Sequence, residues 1–484
     1  MRGTGLSFLR PRSRREFLRA CFRAGLALPA TRLLPGLTPA ARADLRGRPV
    51  FPDPRRGWHG DSSVAAALRA GRADVLPSLP APSPSPSPLA PPAPRLAARF
   101  PDLPRHFVFE YYPWYGAAPF VHWDQWDRVP PDDIASNYVP QLGAYDSLSP
   151  AVLDQHARWI AESGAGAINL SWWGPGSPED RAVPAVMDAM RAHGIKVTFH
   201  LEPYDDGRAS RYAEDVLYLL REYGEKRRFD TLLLLEGPGG IQGPVFKAFR
   251  CILPQAYIDC HGVRRVVRDY TPDDVWRRQT DALRRTLRED FRRVTLLADS
   301  LDFGRTPAAG FDGIAVFDNF VEPAEYAGLA AGASLAGLVF SFNVNPGYDA
   351  IDPRRVDPED CFEPSVFLPA TAALDWSSSL GRERAAALAR DRIAQSLAAT
   401  LGVQADPALA NDQRGFFLVY VNSFNEWHEG HSFEPMRDSA AIPTAQRVFG
   451  YHNPARGDYR LAALREMLGE VLGVAEPARV ARPA

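Results

Sequence analysis

From residue 105 onward, short apolar runs alternate with stretches whose apolar residues recur every three to four positions. "HFVFEYY" (106–112) precedes the helix-period segment "PAVLDQHARWIAESG". "AGAINLSWW" precedes "DRAVPAVMDAMRAHG", and "IKVTFHLEPY" precedes "SRYAEDVLYLLREYG". "TLLLLEG" is read as the fourth strand, with "PDDVWRRQTDALRRTLRED" as its helix, and "RVTLLADS" as the fifth strand, followed by a short connection. "FDGIAVFDNF" leads to "PAEYAGLAAGA", "AGLVFSFNVNPGY" to "RERAAALARDRIAQSLAAT", and "GFFLVYVNSFNEW" to "YRLAALREMLGEVLG". Continuous apolar runs alternating with amphipathic helices predict a parallel sheet covered by helices. Eight such units favour a closed (β/α)8 barrel, a TIM barrel, over an open sheet. No G-x-G-x-x-G follows the first strand, which argues against a dinucleotide fold. Residues 236–270 fit no period and are read as an elaboration of the fourth βα loop.

In such a barrel the reactive groups lie at the C-terminal ends of the strands. Polar and aromatic residues accumulate there, including six of the ten Trp. The catalytic candidates are Glu426 and Glu429 in "NSFNEWHEG". The candidates for substrate binding are Glu202, His200, Tyr204, Tyr112, Trp114, Tyr115, Trp126, Trp172, Asn425, Trp427, His428, Tyr348 and Asp349. Taken singly, each has a plainer explanation: a tryptophan at a strand end packs the rim, a glutamate caps the next helix, a strand histidine sits satisfied in the core. Together they describe a sugar site, because indole faces stack on the C–H faces of pyranose rings while carboxylates and amides bind hydroxyls. Two carboxylic acids flanking one bond are the usual apparatus of glycoside hydrolysis, one protonated and one ionised. His122 and Asp124 alone make no metal site, and no metal or other cofactor is expected.

The formal charge of −2 gives no reason to bind nucleic acid. It averages two unlike parts, since residues 1–43 carry nine Arg and one Glu and leave −10 on the rest. "SRREFLR" (13–19) has the twin-arginine export pattern, and Ala41-Arg42-Ala43 resembles a cleavage site. Residues 1–43 are therefore read as a twin-arginine signal peptide, which places the mature protein in the periplasm or outside the cell. Residues 44–104 include "LPAPSPSPSPLAPPAP" and are read as a disordered or extended linker; 105–484 is the barrel. No other stretch is apolar enough to span a bilayer. Of the four cysteines, Cys251 and Cys260 are close enough for a loop disulfide, with Cys361 left over. A monomer acting on an oligo- or polysaccharide is the expected form.

The motifs "EYYPWYG", "INLSWW", "IKVTFHLEPY", "FDG", "NPGYD" and "NSFNEWHEG", in this order and spacing, resemble glycoside hydrolase family 99, the endo-α-mannosidase and endo-α-mannanase family. Family 71 is a more distant likeness. The resemblance covers roughly residues 105–435. It implies a (β/α)8 barrel that cleaves within α-mannose-containing glycans with retention and without a metal. It further implies that Glu429 is the acid/base and that Glu426 removes the proton of the substrate's own 2-hydroxyl, giving a 1,2-anhydro sugar intermediate. Glu202 would bind hydroxyls beside the reacting sugar, His200 and Tyr204 would shape that wall, and Tyr112, Trp114 and Trp172 would line the glycone subsites. Two departures touch substrate contacts: "IAVFDNF" lacks a tyrosine usual after "FDG", and "GYDAIDPRR" lacks a second acid after Asp349. A non-catalytic carbohydrate-binding or polysaccharide-assembly protein on the same barrel is the alternative, because a fold does not fix a function.

Overall fold

The computed structural model describes residues 92–356, 362, 364–370 and 373–473. The proposed signal (1–43), most of the proposed linker, and Cys361 lie outside the described residues.

Eight parallel strands form the centre. They are β1 Phe107–Tyr111, β2 Ala167–Trp172, β3 Lys196–Leu201, β4 Gly240–Ala248, β5 Thr295–Ala298, β6 Gly313–Ala315, β7 Val339–Ser341 and β8 Val419–Val421. They lie in chain order, and β8 returns beside β1, with Phe107 opposite Val419 and Phe109 opposite Val421. Val344, just past β7, bridges in parallel to Val421 and closes the ring. This is the expected (β/α)8 barrel.

The described helices are α1 Pro92–Arg99, α2 Pro150–Ser163, α3 Pro178–Ala192, α4 Arg208–Leu219 with its π-helical continuation Leu220–Arg228, α5 Asp273–Leu287, α6 Tyr326–Leu335, α7 Ser379–Gln404 and α8 Tyr459–Leu472, besides short turns. Local chemistry sets their ends. The α3 helix starts where the Ser177 hydroxyl accepts from the Asp180 amide, with Pro178 in the first turn. The short connection expected after β5 is the single turn Arg305–Ala308.

Three sequence expectations need correction. "TLLLLEG" is not barrel strand 4: Leu234–Gly237 forms an antiparallel hairpin arm against the first half of β4. The barrel strand is "VFKA", inside the segment read as irregular; Val245 to Ala248 pair with Thr295 to Ala298 of β5. The strongest apolar run drew the assignment, whereas the true strand is short, follows Gly243 and Pro244 and carries a lysine. Second, the last part of the expected linker is ordered: α1 packs on the barrel through Leu96, followed by buried Phe100 and Leu103. Third, Cys251 and Cys260 do not pair. Cys251 is a free buried thiol, pushed by burial to about 12, whereas Cys260 is disulfide-bonded. Among the described residues no helix is long and apolar enough to cross a membrane.

Successive side chains on a strand point to opposite faces, so each barrel strand has an inward and an outward series. The outward series Phe107–Phe109–Tyr111, Ile168–Leu170–Trp172 and Val197–Phe199–Leu201 packs on the helices. The inward series begins with an apolar plug of Val108, Ala167, Val245, Leu297, Ala315, Val339 and Leu418. Two residues further up, the inward positions turn polar. Glu110, Asn169, His200 and Lys247 meet there, none more than 1% exposed. Glu110 accepts from Lys247 Nζ at 2.6 Å, Asn169 Nδ2 at 2.8 Å and His200 Nδ1 at 2.9 Å. Burial alone would raise the Glu110 carboxyl; Lys247 and His200 outweigh it and hold it down at about 2.

Breaking a buried ion pair strands one charge and costs about 3–5 kcal/mol, whereas replacing both partners is far milder. Lys247→Met should therefore lower urea-unfolding stability by roughly that amount. The double variant Glu110→Gln/Lys247→Met should recover part of it; a double variant as unstable as the sum of the singles would refute the pairing. Because the Glu110 carboxyl is depressed in the fold, its contribution is present above its usual 4.5 and lost as pH falls towards 2. Wild type should lose stability relative to Glu110→Gln across that window.

Candidate active site

The inward parity continues past the strand ends and builds the site. Tyr112 lies two residues beyond Glu110, Ser171 two beyond Asn169, Glu202 two beyond His200, Phe249 two beyond Lys247 and Phe317 two beyond Ala315. Tyr112, Phe249 and Phe317 form a buried aromatic cluster joined by Trp114, with the Tyr112 and Trp114 rings 4.5 Å apart. Glu202 is 5% exposed. Its Oε1 accepts from Ser171 Oγ at 2.8 Å, and its Oε2 lies 3.9 Å from His200 Nε2. Burial raises the Glu202 carboxyl, which the nearby imidazole partly offsets.

Past β8 the chain folds across the top of the barrel. Ser423 Oγ accepts from the Glu426 amide at 2.9 Å, and Trp427–Glu429 forms one tight helical turn. Gly430 ends it with φ +67°, and a Cβ there would lie 2.0 Å from the Asp349 carbonyl oxygen, so only glycine fits. This geometry brings both catalytic candidates to one place, together with a residue that the sequence analysis did not single out. His431 Nε2 lies 2.7 Å from Glu429 Oε2 and 3.5 Å from Glu426 Oε2. One carboxylate oxygen from each acid and a His431 ring nitrogen all lie within 4.8 Å of one another. That spacing alone would admit a cation. The 2.7 Å contact between His431 and Glu429 is also of hydrogen-bond length, and a cation there would displace the proton it shares.

Glu426 is 12% exposed, Glu429 5% and His431 fully buried, by side chain. Burial first, then the charges of Glu429 and Glu202, push the Glu426 carboxyl well above the usual carboxylate range; a hydrogen bond with Tyr112 opposes the rise. The Tyr348 hydroxyl is held protonated by burial and by both acids, which places its ring at the same site, 6.3 Å from that of His431.

The remaining binding candidates divide into wall and scaffold. Trp114 stacks on His122 at 4.8 Å, His428 lies 5.5 Å from His122, and Trp126 meets His428 edge-on at 4.7 Å, forming an aromatic bank beside the acids. Trp172 does not face the cavity. It has outward parity, is fully buried under the helices and donates its indole N–H to Asp180 at 2.8 Å. Trp173, on the inward parity, is half-buried and donates to Ser171 Oγ, beside Glu202. Tyr204 gives its hydroxyl to Asp215 and packs on Trp172. Asn425 clamps the backbone of Tyr112 at both N and O, each at 2.9 Å. Trp427 donates to buried Glu434, and the Tyr115 hydroxyl accepts from the Trp427 amide. Asp349 is tied to His452 at 2.7 Å and to Asn137. These six hold the site's walls in place. Lys247, Ser171, Trp173 and His431 escaped the sequence reading: Lys247 because its strand was misplaced, Ser171 and Trp173 because parity had not been applied, and His431 because it lies beyond the acid pair.

Residues 103–232 match the sequence model of glycosyl hydrolase family 99. A glycoprotein endo-alpha-1,2-mannosidase-like protein of Danio rerio is 28% identical over 403 residues, 74% of this chain and 77% of the relative. The glycoprotein endo-alpha-1,2-mannosidase of Mus musculus is 24% identical over 381 residues, 71% of each chain. Among solved structures, the family 99 endo-alpha-mannosidase of Bacteroides thetaiotaomicron superposes with a TM-score of 0.50 at 20% identity, covering 77% of this chain and 99% of that one, which supports the fold. The acids Glu202, Glu426 and Glu429 on one face of this barrel, with relatives that match about three quarters of the chain, make it a glycoside hydrolase similar to those of family 99.

Proposed function

We propose that this protein is an exported, retaining, endo-acting glycosidase that cleaves α-mannoside-type glycans. The observation that carries the reading is the convergence of Glu426 and Glu429, oxygens within 4.8 Å, in one aromatic-walled site with Glu202. Two carboxyl groups flanking one glycosidic bond are the usual apparatus of its hydrolysis. The names of the relatives favour mannose as the sugar, and the "SRREFLR" segment favours export.

The steps follow from the two acids. Glu429, protonated, gives its proton to the glycosidic oxygen as the bond to the anomeric carbon breaks. Glu426, ionised, takes the proton of the 2-hydroxyl, and that oxygen closes on the anomeric carbon to give the 1,2-anhydro sugar. Water then opens the ring: Glu429 takes the water's proton, Glu426 returns its proton to O2, and the original configuration is restored. A base works best when its pKa approaches the working pH, so the raised Glu426 carboxyl suits proton abstraction from a weakly acidic hydroxyl.

Glu426→Gln and Glu429→Gln should each lower kcat on α-mannan fragments by at least about a thousandfold, as loss of an essential proton-transfer group does. NMR of the first product should show the substrate's anomer. Wild-type turnover in both variants overturns the reading, as does an unsaturated, ultraviolet-absorbing product. Glycan binding with no turnover by wild type would instead assign a binding protein. Tyr112→Phe removes a donor to the Glu426 carboxylate and should move the acid limb of kcat/KM to higher pH; an unmoved limb would exclude that contact from catalysis. Replacing Arg14 and Arg15 with Lys should leave the protein in the cytoplasm, and unchanged export would discard the twin-arginine assignment.

A further inference from the structure

His431 touches both acids, and the chemistry above gives it no task. Its ring is fully buried, and among the described residues Nδ1 has no hydrogen-bond partner. A buried bare nitrogen is less costly to leave alone than a buried N–H, so Nε2 is the nitrogen that donates. Nε2–H then donates to Glu429 Oε2 at 2.7 Å, with Glu426 Oε2 next nearest at 3.5 Å.

The ring is held firmly in that position. Arg460, itself buried, donates to the carbonyl oxygens of Gly430 at 2.8 Å and Ser432 at 2.9 Å, one on each side of His431. The Asp349 amide donates to the Glu429 carbonyl at 3.0 Å. Phe317 meets the imidazole edge-on at 6.2 Å from β6, and Tyr348 covers it from the loop after β7. The charged and titratable groups around it are Glu426 and Glu429 on its own loop, Tyr348, and Arg460 behind the backbone. Tyr112, Glu202 and Glu110 act on it through Glu426.

We propose that His431 is a positioning residue for the reaction: its Nε2–H fixes the Glu429 carboxyl through Oε2, so that the transferable proton sits on Oε1, facing the leaving oxygen. The inference rests on Glu429 being the acid. When Glu429 gives up that proton it becomes a carboxylate, and the hydrogen bond from His431 becomes charge-assisted and shorter. The contact is thus stronger at the transition state than in the resting enzyme, so its loss should appear in kcat and not in KM.

The test compares His431→Phe, which keeps a flat ring without a donor, with His431→Gln, which keeps an N–H at similar reach. On the α-mannan fragments, His431→Phe should lose roughly 10- to 100-fold in kcat with KM nearly unchanged. Its alkaline limb of kcat/KM should move to higher pH, because the lost donor favoured the ionised acid. His431→Gln should recover most of kcat. A purely structural role would lower activity equally at every pH and show no rescue, and that outcome, or wild-type kinetics in His431→Phe, overturns the inference. If His431→Phe does not fold, a pH profile and kcat for His431→Gln within twofold of His431→Ala overturn it as well. If wild type cleaves no glycan, the proposed function fails on its own, and NMR of the 15N-labelled His431 imidazole decides this inference. Nε2 should carry a proton whose signal shifts in Glu429→Gln; a proton on Nδ1 alone, or an unmoved signal, refutes it.

Discussion

A closed parallel barrel gives each strand two sides only, and the chemistry of this protein depends on which residues fall on the inner one. From the apolar plug upward, inward positions run Val108–Glu110–Tyr112, Ala167–Asn169–Ser171, Thr198–His200–Glu202 and Val245–Lys247–Phe249. The bottom layer is hydrocarbon apart from Thr198, the middle is a closed charge cluster, and the top is the site. A one-residue slip in any strand would exchange these layers for the phenylalanines, leucines and valines that now face the helices. Register, fixed by burial on the outer side, therefore positions the acids on the inner side.

The middle layer places charge where the hydrophobic effect would put none. Glu110 and Lys247 are both stripped of water, and each is tolerable because the other lies at 2.6 Å. The Lys247 ammonium also sits 5.0 Å from the face of Phe317 and 4.7 Å from that of Tyr420, which soften its desolvation. The arrangement has two effects above it. The carboxylate of Glu110 accepts a hydrogen bond from His200 Nδ1–H and so turns Nε2 towards Glu202. The rise of Glu426 is governed first by burial, then by the charges of Glu429 and Glu202, with Glu110 of the cluster beneath adding the least.

How far the sequence could be read follows from the same geometry. Alternation of apolar runs and amphipathic segments identified seven of the eight strands. It failed at the fourth because a buried lysine and a proline disguise a strand whose apolar neighbour, "TLLLLEG", forms a hairpin arm outside the ring. The acid pair was legible because it follows an apolar run at the C-terminal end of a strand. Trp172 and Trp173 show the limit of composition: adjacent in the chain, identical in type, they point to opposite sides, one locked on Asp180 and one beside Glu202. Parity counted from Ile168 and Leu170 would have separated them. No periodic signal could have found His431 or Arg460, since both depend on how an irregular loop folds back.

The floor of the site bears on which sugars can be held. The inward position two residues past Ala315 is Phe317, buried between Phe249, Lys247 and His431. A ring without a hydroxyl at that depth offers a sugar a face and no hydrogen bond, so polar recognition must come from the rim. Glu202 on β3's extension and Tyr348 on the loop after β7 stand on opposite sides of that floor and bring a carboxylate and a hydroxyl. Asp349 does not join them, because His452 and Asn137 already engage its carboxylate. A hydrogen-bonding site discriminates between sugars by leaving buried groups unpaired when a hydroxyl is missing, whereas an aromatic floor imposes little such penalty. Glu202 and Tyr348 are therefore the polar side chains that border this apolar floor.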